Sequence, residues 1–102
     1  MYITTTNGFD GKMIKEYKGI VFGEAIAVTS LHADMANPFI GFSGGREKFQ
    51  EFEFSVVRTE AINEMIERTK EMGANAIVGV RVDIDEYDSK FLITASGTAV
   101  VV

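Results

Sequence analysis

The most regular pattern of apolar residues in the chain has the period of an α-helix. Between residues 47 and 72 they stand three or four positions apart, which places them on one face of an α-helix. That stripe consists of Phe54, Val57, Ala61, Ile62, Met65, Thr69 and Met72. Glutamates lie on another face, with Arg68 and Lys70 as ion-pair partners at i+4 and i+3, and Gly73 suits the residue after a helix end. The pattern predicts one long amphipathic helix over 47–72.

Elsewhere the pattern is that of β-strands. β-Branched and aromatic residues with alternating apolar positions mark four segments, which are 2–6, 12–28, 76–85 and 91–102. The polar connection 86–90 predicts that the last two strands form a hairpin. Alternation predicts that Val78, Val80, Val82 and Ile84 share one face. Gly19 and Gly23 predict a bend or bulge in the long second strand.

Residues 30–46 have no such regular pattern. The run 31–36 could form a short helix capped by Ser30, and Asn37-Pro38 would end it. The remainder predicts a loop that leads to the long helix. The chain is therefore predicted to be a single α+β domain over 1–102. It has an antiparallel sheet of about four strands, one long helix packed on it, and a short helix or loop.

The long helix has a second apolar face in its N-terminal half. Phe49, Phe52 and Val56 stand roughly opposite the main stripe, and one small sheet cannot cover both faces. The chain also ends in the apolar segment 100–102, which would be a hazard on an open edge. Either that strand sits inside the sheet or a neighbouring subunit covers it. Both features predict a symmetric homo-oligomer, with Phe49, Phe52 and Val56 at the interface.

Composition narrows the possible partners and compartments. The net charge of −5 and the pI of about 4.8 argue against broad binding to nucleic acid or anionic membranes, which need a basic face. The chain has no cysteine, which favours a reducing compartment and excludes thiolate chemistry. The first residues lack the features of a signal peptide, and no apolar run approaches the ~20 residues of a membrane span. We expect a soluble cytoplasmic protein.

Several short segments resemble those of one known family. They are Thr4-Thr5-Thr6-Asn7, Ile20-Val21-Phe22-Gly23-Glu24, Gly44-Gly45-Arg46, Gly73-Ala74-Asn75-Ala76-Ile77-Val78-Gly79-Val80 and Thr94-Ala95-Ser96-Gly97-Thr98-Ala99-Val100. Together they resemble the YbjQ-like family of small bacterial and archaeal proteins, and the resemblance covers essentially the whole chain. It implies an antiparallel sheet with one long helix, assembled as a homopentameric ring. The family carries a heavy-metal-binding label, which implies a divalent metal ion as a candidate cofactor.

The chain contains few residues of the types that bind heavy metals. His32 is the only imidazole, and as a metal ligand it would need partners, of which Asp34 is the nearest. A partly exposed histidine near a helix start is the simpler interpretation. The acidic run that includes Asp83 and Asp85 could hold a hard cation, but it lacks the spacing of a calcium-binding loop. A solvated strand end is the better explanation.

Gly44, Gly45 and Arg46 are the candidate ligand-binding residues. Backbone N–H groups at a helix start beside an arginine can hold an anion, although the segment is not a P-loop. The alternative is a turn whose arginine pairs with an acid across a subunit contact. Glu24 lies among apolar residues, and burial there would demand an arginine partner such as Arg46. It is a further candidate ligand-binding residue.

Three functional hypotheses remain open at this point. The first is a non-enzymatic oligomeric module that binds a small ligand or metal ion at subunit junctions. The second is an enzyme whose site is completed across an interface by Glu24, by Arg46 or by the hydroxyls of Thr94, Ser96 and Thr98, which share one strand face. No histidine is near these hydroxyls in sequence, so a serine nucleophile has no identifiable base. The third is a purely structural assembly subunit.

Overall fold

The computed structural model describes the backbone of residues 1–28 and 45–102, and side chains within 1–27, 54–86 and 88–102. Its elements are β1 (Tyr2–Ile3), β2 (Glu16–Val28), α1 (Gly45–Glu71), β3 (Ala76–Tyr87) and β4 (Lys90–Val101). The predicted helix and all four predicted strands are therefore confirmed, with β1 and β2 shorter than expected. The predicted short helix or loop at 30–46 falls almost entirely outside the described residues.

The strands form one sheet in the order β1-β3-β4-β2. β4 is antiparallel to both of its neighbours, while β1 pairs with β3 in parallel, so the sheet is mixed. Asp88 and Ser89 join β3 to β4 with positive φ angles of 49° and 61°, the conformation of a tight two-residue hairpin turn. The α+β class and the hairpin are confirmed, and the short β1 strand accounts for the parallel pair.

Helix α1 packs on one face of this sheet, mainly against β2. Val57, Ala61, Met65 and Thr69 of the predicted stripe are buried against the strands. Thr69 is satisfied there, since its hydroxyl donates to the carbonyl of Met65 at 2.8 Å. The amphipathic pattern was therefore a reliable guide to the buried face.

The predicted end of the helix and its predicted ion pairs are also confirmed. Gly73 adopts a φ of 79°, its N–H donates to the carbonyl of Lys70, and the N–H of Ala74 donates to that of Thr69. These two bonds form a Schellman motif, which satisfies the last carbonyls of the helix. On the exposed face, the predicted pairs form between Glu64 and Arg68 at 2.6 Å and between Glu67 and Lys70 at 3.2 Å.

The prediction that Val78 and Val80 share a face with Val82 is wrong at Val78. The register of β3 against β4 shifts between Val78 and Arg81, and Gly79 has a φ of 63°. This bulge inserts one residue, so Val78 lies on the face opposite α1 while Val80 joins the helix-facing core. Gly79 was a possible signal, because glycine inside a strand often marks a bulge.

The apolar C-terminal segment needs no neighbouring subunit to cover it. β4 occupies an interior position in the sheet, Val100 is fully buried, and the side chain of Asn75 binds both the N–H and the carbonyl of Val102. The first of the two predicted explanations is the correct one. The inference that this segment requires an oligomer is therefore wrong, because β4 is paired on both sides within one chain.

No helix in the described parts of the chain is long and apolar enough to cross a membrane.

Candidate functional site

The candidate site is the sheet face that points away from α1, here called the outer face. Cross-strand pairing arranges it in rows, because residues opposite each other in a sheet project to the same side. One row joins Glu24, Thr94 and Asp83, and the row beside it joins Phe22, Ser96 and Arg81. The outer face thus carries three different columns, one from each of β2, β4 and β3.

The β2 column is apolar except for Glu24, and it is open to solvent. Ile20 is 71% exposed, Phe22 47% and Ile26 60%. Their neighbours on the same strand, Val21 and Ala27, are buried under the helix. Alternation had placed these residues on opposite faces, but the sequence did not indicate that the second apolar face would be left uncovered within one chain.

The β4 column consists of the hydroxyl residues Thr94, Ser96 and Thr98, all half-buried. Their predicted common face is confirmed, and it is the outer one. The β3 column is charged, with Arg81, Asp83 and Asp85 exposed. Hydroxyls flanked by charges can bind polar groups by hydrogen bonding.

The N-terminal segment covers the end of the outer face that contains Val78 and Val100. Phe9 and Ile14 pack on Ala76, Val78 and Val100. A solvent-open cleft of about 1050 Å³ lies along the same segment, lined by residues that include Thr4, Thr6, Asn7, Phe9, Lys12 and Tyr17. Lys12 is engaged there, since its ammonium lies 4.5 Å from the centre of the Tyr2 ring.

The open side of β2 carries one feature that sequence reasoning missed. The Nη1 group of Arg68 donates to the carbonyl of Phe22 at 2.9 Å, while Nη2 pairs with Glu64. β2 is the last strand in the sheet order, so this bond occupies one backbone acceptor beside an edge strand. The expected Arg68–Glu64 pair was the only signal in the sequence, and it does not reveal the contact with β2.

Of the predicted ligand-binding residues, Gly45 and Arg46 are the first two residues of α1, which agrees with their expected place at a helix start. Gly44 lies outside the described residues. Glu24 does not match the expectation of a buried glutamate. Its side chain is exposed, because it projects from the uncovered outer face, and burial therefore does not require it to have an arginine partner.

The predicted metal ligands His32 and Asp34 lie outside the described residues. Among the residues that are described, no group of three or more histidine, cysteine or carboxylate side chains is placed to hold a metal ion.

Val56 of the predicted interface is 41% exposed. Phe49 and Phe52 lie in α1, but their side chains are outside the described set.

Comparison with known proteins shows to which family the chain belongs. A family model described as "Putative heavy-metal-binding", YbjQ, matches residues 1–102. The chain belongs to the YbjQ-like family. It is 49% identical to a UPF0145 protein of Acetivibrio thermocellus, over 100% of this chain and 99% of that protein. A UPF0145 protein of Clostridium kluyveri is 45% identical over the same shares of both chains.

A solved structure agrees on the fold of the YbjQ-like chain. It is a crystal structure of a protein with unknown function of the DUF74 family from Pediococcus pentosaceus. The TM-score is 0.68 at 13% sequence identity, and the alignment covers 100% of this chain and 97% of the other. The predicted resemblance and its fold are thereby confirmed.

The residues of this YbjQ-like chain do not fit a heavy-metal site of the usual kind. Soft metals select thiolate and imidazole ligands. The chain has no cysteine and one histidine, and the described carboxylates do not converge. The family description therefore has no matching set of donors in the described part of this member.

Proposed function

We propose that this protein is a self-assembling binding module that holds a small ligand where its subunits meet. The observation that carries the proposal is the apolar β2 column on the outer face. Ile20 and Phe22 are neighbours on this face, Ile26 lies beyond the exposed Glu24, and all three apolar side chains stay largely exposed in a single chain. Several large apolar side chains exposed on one face favour an interaction site in a folded protein.

The helix supports the same proposal. Val56 is exposed, and in the sequence it continues the second apolar face that begins with Phe49 and Phe52. A small chain gains stability by burying such surfaces against further copies, since its own core is modest. A homopentameric ring, which the family resemblance implies, is the assembly we propose.

The ligand that suits this arrangement is polar. Thr94, Ser96 and Thr98 lie between the apolar β2 column and the charged β3 column, so assembly through β2 would place hydroxyls at a junction. Hydroxyl and carboxylate oxygens suit a small polar molecule or a hard cation such as Ca²⁺ or Mg²⁺. At the other candidate position, Arg46 in the first turn of α1 suits an anion.

Native mass spectrometry tests both parts of the proposal. The purified protein should appear as a multiple of the 11.2 kDa chain, and the complex should gain mass when Ca²⁺, Mg²⁺ or inorganic phosphate is added. Thr94→Val with Ser96→Ala should remove the cation adducts, and Arg46→Ala the phosphate adduct. A chain that remains monomeric contradicts assembly. An assembly that takes up none of these probes contradicts the binding role and favours a purely structural subunit.

A further inference from the structure

The segment after β1 contains an asparagine–glycine pair that is open to solvent. Asn7 is exposed and lies in a bend between β1 and a turn in which the N–H of Lys12 donates to the carbonyl of Phe9. In the described part of the chain, no hydrogen bond holds the side chain of Asn7 or the N–H of Gly8. A β-carbon on Gly8 would meet nothing within 4 Å, so the space beside its nitrogen is open.

These conditions favour the loss of ammonia from the asparagine. The backbone nitrogen of Gly8 attacks the side-chain carbonyl carbon of Asn7, the bond to the amide nitrogen breaks, and ammonia leaves with the proton of the Gly8 N–H. Water then opens the resulting five-membered imide at either of its carbonyls. One opening gives aspartate, and the other gives isoaspartate, in which the main chain runs through the former side chain. A following glycine permits this ring closure best, because it has no side chain to hinder it.

The three other asparagines of the chain each lack one of these conditions. Asn37 is followed by Pro38, whose nitrogen carries no proton. Asn63 lies inside α1, where the N–H of the next residue is bound to a carbonyl four residues earlier. Asn75 uses its side-chain amide to bind both the N–H and the carbonyl of Val102. Asn7 alone therefore combines a free side chain with a free and unhindered nucleophile.

Threonine hydroxyls and backbone bonds tie this segment to the sheet. The N–H of Thr6 donates to the hydroxyl of Thr4 at 3.1 Å, and the hydroxyl of Thr6 donates to the carbonyl of Gly8 at 2.8 Å. Because a hydroxyl has one proton, the 2.7 Å bond between the two hydroxyls is donated by Thr4. The carbonyl of Thr6 accepts from the N–H of Gly79 at 2.9 Å, at the bulge in β3. Isoaspartate at position 7 would lengthen the main chain by one carbon between Thr6 and Gly8, which disturbs the bonds on both sides.

We propose that Asn7 is a site of spontaneous deamidation, and that its conversion to isoaspartate loosens the N-terminal segment from the bulge in β3. The reaction also adds a carboxylate to the cleft that Asn7 lines together with Lys12 and Tyr17. Each event makes the chain one unit more negative. The inference goes beyond the proposed function, since neither of its steps needs an assembly or a ligand.

Incubation of the full-length protein at mildly alkaline pH tests the modification site. Peptide mass spectrometry over a time course should locate the mass change from amide to carboxylic acid at Asn7. Its rate should exceed that at Asn63 or Asn75 by about tenfold or more, because those residues react only after local opening. Asp10-Gly11 can form the same imide, but water returns it to an unchanged mass, so it does not disturb this readout.

Gly8→Ala is the matched control for the site. The added β-carbon meets nothing within 4 Å, so the fold should be kept while ring closure is hindered. The mass change at Asn7 should be several-fold slower in this variant. Equal rates at the three described asparagines, or an unchanged rate in the Gly8→Ala variant, would overturn the modification site.

Amide hydrogen exchange tests the loosening. The N–H groups of Gly79 and Val80 donate to the carbonyls of Thr6 and Thr4. In aged wild-type protein they should exchange faster than in Gly8→Ala protein aged for the same time. Fresh Asn7→Asp protein, which has the new charge but the original main chain, should exchange as fresh wild type does. Unchanged exchange after ageing would overturn the loosening, and faster exchange in fresh Asn7→Asp protein would assign it to charge and overturn the role of isoaspartate.

Discussion

Gly23 of β2 lies directly beneath Ala61 of α1, so closely that the strand can carry no side chain at this point. A β-carbon on Gly23 would overlap the carbonyl oxygen of Ala61 and lie 2.6 Å from the backbone nitrogen of Met65. Both obstacles are backbone atoms, which cannot move aside as a flexible side chain can. The absence of a side chain at Gly23 therefore sets how closely the helix approaches the sheet.

Gly23→Ala should destabilise the chain by about 2–4 kcal/mol, since overpacking against backbone forces the helix away from β2. Urea unfolding followed by circular dichroism measures the change. Gly8→Ala is the matched control, because a β-carbon at Gly8 meets nothing within 4 Å. Its effect should stay within about 0.5 kcal/mol. Equal effects of the two substitutions would contradict the close helix–sheet contact.

Gly73 should be sensitive for a different reason. Its φ of 79° ends α1, and a β-carbon is strained in that conformation whatever space surrounds it. Gly73→Ala should cost about 1–2 kcal/mol of unfolding free energy. Gly73→Asn should cost less, because asparagine tolerates the left-handed conformation better. Thermal denaturation compares the two variants, and an alanine variant more stable than the asparagine variant would contradict the Schellman ending.

The helix shows what can be predicted from a sequence of this kind. Its stripe, its ion pairs and its glycine ending depend on residues a few positions apart, so the periodicity contains the answer. The bulge at Gly79 and the exposure of Glu24 do not depend on such short-range relationships. The bulge depends on pairing between distant strands, and the exposure of Glu24 depends on which sheet face the helix covers. Those relationships arise only when the chain is folded.

In the candidate site, too, short-range features could be predicted and contacts between distant residues could not. The common face of Thr94, Ser96 and Thr98 follows from alternation and could be predicted. The bond from Arg68 to the carbonyl of Phe22 joins residues 46 positions apart and could not. The interior position of β4 was one of two predicted alternatives, and only the strand order decided between them.

Asn75 should hold the end of β4 in place. Its amide group donates to the carbonyl of Val102 at 3.1 Å, and its side-chain oxygen accepts from the N–H of the same residue at 2.9 Å. Asn75→Ala removes both bonds and should cost about 1–2 kcal/mol, given that each contributes about 0.5–1.5 kcal/mol. Amide hydrogen exchange should accelerate at Val102, whereas Asn7→Ala should leave it unchanged. Unaltered exchange in the Asn75 variant would show that the side chain does not hold this end.

Any binding of soft metal ions should depend on His32. It is the only histidine, and no cysteine is present to replace it. If Zn²⁺ or Cd²⁺ raises the melting temperature of the wild-type protein, His32→Ala should abolish that shift. Asp34→Ala should reduce it if this carboxylate completes the site. A metal-dependent shift that persists without His32 would contradict the assignment of donors and would point to carboxylates alone.

The second apolar face of α1 should be required for assembly. Phe49→Glu or Phe52→Glu places a charge on that face and should shift native mass spectra toward the monomer. Arg58→Gln changes the net charge by the same single unit and lies about 180° around the helix from Phe49 at 100° per residue. It should leave the assembly intact. Loss of assembly in both cases would indicate a general effect of charge and not an interface.

The molar mass of the wild-type protein in solution tests the central claim most directly. Size-exclusion chromatography with multi-angle light scattering, run over a dilution series, should give a constant multiple of the 11.2 kDa chain. Five copies would match the ring that the family resemblance implies. A mass of a single chain throughout the series would contradict self-assembly, and the exposed Ile20, Phe22 and Ile26 would then need another explanation.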